Sequence, residues 1–400
     1  KNMKTKCGFL LVIFLCSFWG SINGQWTKDK NPVYDYEGLA RKIVNQCAAV
    51  REGDIVLISG GIKNMELLED IAVNVCKNGG SPIISVWSDR ITSRYLAEVP
   101  EIYDAQSPKI GMNLFGFVDV AINVSYSESD DLFANVPPER IAAMNNANKP
   151  VNDLYVRRNI RGVNLGNGLY PTEVQAKEFN ISLEQLSEIF WSGVNVDYTK
   201  LESTGKAVSK MFAAGKEVQI TNPNGTDIKV SIENRKVLVS DGIMSPEDLM
   251  DGTATRQKYL PAGEVFMSVV PGTAEGKVVA DNYFYNGKEI PGLTLIFKAG
   301  KLVSMNAKSG LEPLKAFYDL GPAGKEDFSS IDIGINPNVR IIPGSNFASW
   351  IISGMVTVSQ GNNLWTGGDN SCTFGNSFFL PGSTLKIDGK VLIENGIPKY

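Results

Sequence analysis

The 400-residue chain is 43% hydrophobic, carries 39 basic against 43 acidic side chains for a net charge of −4, and contains no histidine. That balance supplies no basic field for nucleic acid or an anionic membrane surface. Without imidazole, Ser-His-Asp and Cys-His catalysis and every His-containing zinc site are excluded, leaving carboxylates, thiolates, Lys, Tyr, Ser and water as the available chemistry.

Lys1, Lys4 and Lys6 precede an apolar run at 8–20 and a small, polar exit at 21–24. This order predicts a secretory signal peptide over 1–24 and an exported mature chain, periplasmic or extracellular. The apolar run is too short for a comfortable membrane span. Cys47, Cys76 and Cys372 would remain, an odd number without paired spacing, so no disulfide framework is read from them. Cys47 and Cys76 fall within helical apolar patterns and are expected as buried thiols.

From 25 to 200 the pattern alternates helix and strand. Leu39, Ile43, Val44 and Cys47 give a helix over 36–51, and 55–59 is a continuous apolar run of buried-strand type. Gly60-Gly61 ends that run; it lacks the third glycine and acidic partner of a dinucleotide fingerprint. A helix over 64–77 stops at Asn78-Gly-Gly80, and a strand over 82–87, a short helix over 90–97 and a strand over 118–124 follow. The rhythm predicts an α/β domain with a mainly parallel sheet and helices on both faces. Pro137-Pro138-Glu139-Arg140 opens a further helix, and helices over 182–191 and 201–214 lead out of this half.

From 201 to 400, and above all beyond Gly215, short strands at 218–221, 228–232, 237–239, 265–269, 277–280 and 293–297 predict a β-rich α+β domain with antiparallel pairing. Several strings here carry a resemblance: Phe190-Trp-Ser-Gly-Val-Asn-Val-Asp197, Gly225-Thr-Asp227 with Asp241-Gly242, and Leu260-Pro-Ala-Gly-Glu-Val-Phe266. Gly334-Ile-Asn-Pro337, Gly367-Gly368 and Ile387-Asp-Gly389 complete the series. In order and spacing they resemble the aminopeptidase T/aminopeptidase S family of metal-dependent exopeptidases, and the resemblance covers nearly all of the mature chain.

The resemblance implies an aminopeptidase T-like fold, a homodimer, and two divalent metals held by two glutamates, two histidines and an aspartate, with a tyrosine nearby. Paired metals would lower the pKa of a bridging water and polarise a scissile carbonyl. Glu264 matches the first glutamate. Ser330 stands at the second, with Asp332 as a stand-in two positions on. Thr357 stands at the first histidine, Leu364 at the tyrosine, and Gly375 and Ser377 in the segment of the second histidine and the aspartate. Glu264 is thus either a surviving metal ligand or a structural carboxylate. Asp281, Asp369 and Asp388 could build an oxygen site for a hard cation, though Asp388 sits in a turn-type Asp-Gly. Trp350 and Trp365 flank the altered region; they are expected in the core, with the wall of a vacated pocket as the alternative place for either.

The expectation is an aminopeptidase T-like protein with a degenerate metal site and no resident cofactor, binding a peptide or small-molecule ligand without turnover. The competing expectation is an active metallo-aminopeptidase using Zn, Co or Mg. Neither nucleic acid nor a membrane span enters either reading.

Overall fold

The computed structural model describes residues 34–125, 129, 132–133, 136–252, 255–285 and 288–400. The expected signal peptide, 1–24, lies outside the described residues. Within Tyr36–Tyr400, a single compact unit, the chain begins with α1 (Tyr36–Lys42), which widens into a π-helical turn at Ile43–Cys47 instead of running to residue 51. Strand β1 (Ile55–Gly61) follows, then α2 (Met65–Lys77), β2 (Ser81–Trp87), α3 (Asp89–Glu98), α4 (Lys109–Phe117), β3 (Val120–Val124), α5 (Pro138–Arg157) and β4 (Arg161–Leu165).

Local chemistry sets these limits. Val56, Leu57 and Ile58 are all buried, as a strand covered on both faces requires. Helix α2 ends where Gly79 turns to φ +77° and the Gly80 amide donates to the Val75 carbonyl at 3.0 Å, closing the last turn with a residue that has no Cβ to clash. Leu114 and Phe115 of α4 and Tyr155 of α5 pack on the Leu57 side of β1. Leu68 of α2 lies on the other side, against Gly60. Helices therefore cover both faces.

The remaining helices are α6 (Glu173–Glu178), α7 (Leu183–Val194) and α8 (Tyr198–Ala213), with short helices at Pro246–Asp251 and Glu312–Leu320. The remaining strands are β5 (Glu217–Thr221), β6 (Asp227–Ser231), β7 (Val237–Ser240), β8 (Gln257–Leu260), β9 (Glu264–Ser268), β10 (Glu275–Tyr285), β11 (Lys288–Lys298), β12 (Lys301–Asn306), β13 (Phe328–Gly334), β14 (Val356–Gly361), β15 (Gly375–Leu380), β16 (Thr384–Ile387), β17 (Lys390–Glu394) and β18 (Ile397–Pro398). They form a parallel sheet in the order β2-β1-β3-β4-β8 and two antiparallel sheets, β12-β11-β10-β6-β5-β16-β17-β18 and β15-β14-β13-β9-β7.

The parallel sheet crosses the expected boundary at residue 200, because β8 pairs with β4 from Gly162 opposite Gln257 to Leu165 opposite Leu260. Three residues after β8, β9 starts in the five-stranded antiparallel sheet, so one short turn joins the two sheets. Cys47 is buried as expected, but Cys76 is exposed: it sits on the outward side of α2, next to Lys77 at the helix end. Among the described residues no helix is long and apolar enough to cross a membrane.

Candidate functional site: a carboxylate pair between two tryptophans

Side chains alternate faces along a strand, so register decides which residues meet. Glu264 stands opposite Gly334, Asp332 is flanked by Phe266 and Thr357, and Ser330 by Ser268 and Ser359. Beyond β14, Thr357 faces Phe379 and Ser359 faces Ser377. One face of the β9-β13-β14-β15 sheet therefore carries Glu264, Asp332, Thr357, Ser359 and Ser377, while Val265, Ile331, Ile333, Val356 and Val358 are buried on the other.

Three of the sequence strings meet behind this face. Asn336, fully buried, donates its Nδ2 to the Ala262 carbonyl at 2.6 Å and to the Gly193 carbonyl at 3.1 Å. Gly263 holds φ +136°, and a Cβ there would lie 2.6 Å from Asn336 Cβ. The strings are thus a clamp that aims Glu264. Gly334, opposite Glu264, has no side chain because the backbone at 350–352 packs against it; a Cβ there would come within 2.0 Å of the Ile352 carbonyl oxygen.

The face opens into a cavity of about 430 Å³ lined by Glu264, Asp332, Thr357, Gln360, Ser377 and Asn376, among others. Trp365 leans on Phe266, with ring centroids 5.3 Å apart, and Trp350 stacks on Phe379 at 6.1 Å. Both indoles line the cavity, the alternative expected for them beside the core. No Lys or Arg is among its lining residues. Burial raises the Glu264 carboxyl above the ordinary carboxylate range. Burial first, and then the Glu264 charge, hold Asp332 well above it. The two titrate as one pair, each carboxyl holding its proton more tightly than an exposed one would.

The polar atoms around the pair are largely unmet. Asp332 Oδ1, Thr357 Oγ1, Gln360 Oε1, Ser330 Oγ and Ser329 Oγ are buried without a hydrogen-bond partner. Gln360 spends its amide on the Lys325 carbonyl at 2.7 Å, and Ser359 and Ser377 bond to each other at 2.9 Å. Of these, Asp332 Oδ1, Thr357 Oγ1 and Gln360 Oε1 belong to residues that line the cavity, whereas buried polar atoms are ordinarily satisfied.

The structure brings only some of the residues singled out in the sequence into this cavity. Glu264, Asp332, Thr357, Gly375 and Ser377 line this one cavity. Ser330 does not; its hydroxyl is fully buried in the sheet, one row from Asp332. Leu364 does not either: it is 53% exposed on a short 3-10 turn, and its neighbour Trp365 brings the aromatic ring inward. Gln360, Ser359, Asn376, Asn362, Tyr259 and Asn167 also line the cavity and were not singled out in the sequence. The alternation of Thr357, Ser359 with Val356, Val358 was the available signal for Ser359. Asp281, Asp369 and Asp388 are exposed and do not join it; Asp388 instead accepts the Lys216 and Glu217 amides in its turn.

A parallel sheet with helices joined to two antiparallel sheets, one of which carries a carboxylate-bearing cavity, is the combination of α/β and β-rich parts that the sequence predicts. The chain matches the family model for thermophilic metalloproteases (M29) over residues 34–324, and it belongs to that family. It is similar to wild-type AmpT from Thermus thermophilus, at 16% identity and a TM-score of 0.68, covering 91% of this chain and 99% of that one. It is also similar to the 2,5-dihydroxypyridine dioxygenase of Pseudomonas putida KT2440, at 11% identity and a TM-score of 0.58, covering 91% and 96%. At these identities the two structures establish the fold alone. No curated protein matches the chain.

The family is named for metal dependence, and the donor set here does not fit a pair of metal ions. A catalytic zinc takes three protein ligands and a structural one four. The cavity offers two carboxylates, hydroxyls and amides, with neither imidazole nor thiolate among its lining residues. Among the described residues no three Cys, Asp or Glu side chains come together as a ligand set.

Proposed function

We propose that the protein is an exported, non-catalytic member of this family whose former substrate cavity binds the amino terminus of a peptide or a similar small primary amine. The observation that carries this reading is the match between the unmet acceptors and an ammonium group. Asp332 Oδ1, Thr357 Oγ1 and Gln360 Oε1 are three buried acceptors lining one cavity. A primary ammonium brings three N–H donors and a positive charge. An arriving ammonium favours loss of a proton from the Glu264–Asp332 pair, which then supplies the opposite charge, and indole faces such as those of Trp350 and Trp365 attract cations. The positions that resemble ligand positions and hold Thr357, Gly375 and Ser377 support binding without turnover. The basic and apolar order of residues 1–24 supports export.

Titration calorimetry with alanyl-alanine, N-acetyl-alanyl-alanine and the metal-free protein tests the reading. Saturable binding of the free amine and none of the acetylated peptide is expected. Equal binding of both, or of neither, overturns it.

A further inference from the structure

The parallel sheet carries a second concavity that the carboxylate site does not use. From β1 the chain moves outward to β2, then returns past β1 to β3 and continues to β4. The β1/β3 boundary is therefore where the winding reverses, and α2 leaves on one face while α4 and α5 cover the other. In open α/β sheets, diverging loops at such a point leave a crevice beyond the carboxyl ends of the strands. Here that crevice measures about 590 Å³ and is lined by Gly60 and Gly61 after β1, Trp87 at the end of β2, Asn123 and Ser125 at β3, and Gly168 after β4.

Its chemistry selects against a phosphate. No Lys or Arg is among its lining residues, and Glu178 is. The Gly61 amide, which a phosphate would need, already donates to Asn64 Oδ1 at 3.1 Å, and Asn64 is fixed in turn by a 2.5 Å bond to the Tyr170 hydroxyl. What remains is an exposed indole, 60% accessible at Trp87, beside a polar edge in which Asn123 Nδ2 donates to Ser125 Oγ at 3.1 Å and Ser125 Oγ bonds Asn164 Oδ1 at 3.0 Å. At Gly168 a Cβ would meet nothing within 4 Å, so the crevice stays open there. A flat ring can stack on an indole, and amide and hydroxyl groups can read its edge.

The geometry points to a second ligand site in this crevice, for an uncharged planar heterocycle of nucleoside size stacked on Trp87. The site is separate from the amine-binding cavity. The two share only the turn in which Gly166 and Gly168 line the crevice and Asn167 lines the cavity.

Calorimetric titration with adenosine and riboflavin, and with their phosphorylated counterparts AMP and FMN, tests it. Saturable binding of at least one uncharged probe is expected, with a Kd on the order of 1 mM or tighter. Trp87→Ala should weaken it about tenfold or more, whereas Trp365→Ala in the other cavity leaves it unchanged. Hydrogen exchange of the wild-type chain should slow at residues 59–62 and 164–170 when the probe is bound. The site is refuted if no uncharged probe binds, if Trp87→Ala binds as wild type does, or if the phosphorylated probes bind tenfold more tightly.

Discussion

Glu264 and Asp332 lie diagonally across two antiparallel strands on one face of a sheet, and no Lys or Arg lines the cavity they share. Diagonal neighbours sit roughly 7–8 Å apart at the backbone, close enough for the charge on one to oppose ionisation of the other. The electrostatics of this pair yield the clearest expectations.

The first concerns stability and pH. A carboxyl whose folded pKa is raised binds its proton more tightly folded than unfolded. Its contribution to stability therefore falls as pH climbs from the ordinary carboxylate range toward the raised value. Asp332→Asn, which removes the ionisable group, should melt above wild type at about pH 8 by on the order of 1–3 kcal/mol. The difference should vanish near pH 4. Thermal melts across that range check it, and a variant less stable than wild type at pH 8 would contradict the assignment.

Ligand binding should be coupled to the same protons. An ammonium beside the pair favours its ionised form, so binding near pH 7 releases protons and tightens as pH rises from about 5 to 7. Calorimetry in buffers of different ionisation enthalpy measures the release directly. A buffer-independent heat would mean that the ligand does not contact the pair.

The indoles should matter for the ligand more than for the fold. Trp365 is 45% exposed and rests on Phe266, so Trp365→Ala removes little core. A cation–π contact of ~0.5–2 kcal/mol predicts a two- to thirtyfold loss of affinity for alanyl-alanine. The melting temperature should change little. Affinity unchanged in both Trp350→Ala and Trp365→Ala would remove the aromatic walls from the account.

Asn336 offers the converse case. It is fully buried and ties Ala262 to Gly193, so Asn336→Leu strands two carbonyls in the interior. A loss of ~2–4 kcal/mol of stability is expected, with the unfolding midpoint in urea as the readout. That contact also explains which parts of the molecule were legible in the sequence. The strings Phe190–Asp197, Leu260–Phe266 and Gly334–Pro337 are recognisable because they are one clamp, held by backbone geometry such as the φ +136° at Gly263.

The α/β rhythm of the first half was legible for the same reason: Val56–Ile58 and the Gly79-Gly80 stop are local signals. The strand Gln257–Leu260 was not, because its partner Leu165 lies 95 positions away in sequence and only the fold brings them together. Within the cavity, Glu264 and Asp332 could be named from motif and alternation. Gln360 could not, and Trp365 could be named only as a residue of the core or of a pocket wall. Trp365 enters through a 3-10 turn, and Gln360 through a strand whose pairing with β13 shifts register between Phe328 and Ser330.

Restoring one ligand should restore some metal affinity. Thr357 lies directly opposite Asp332, on the face that carries Glu264, so Thr357→His assembles an imidazole with two carboxylates. This is the usual minimum of three protein ligands for a catalytic-type ion. Cobalt titration followed by its visible absorption should show at least about tenfold tighter binding than wild type. Equal affinity would mean that Thr357 does not face the pair.

The most direct test of the central claim is turnover measured together with metal content. Wild type and Glu264→Ala should be assayed on a panel of aminoacyl-p-nitroanilides with Zn, Co or Mg added, while bound metal is quantified on the same samples. The account predicts no turnover by wild type above Glu264→Ala with any of the three ions. Stoichiometric metal in wild type, with hydrolysis abolished by Glu264→Ala, would contradict it.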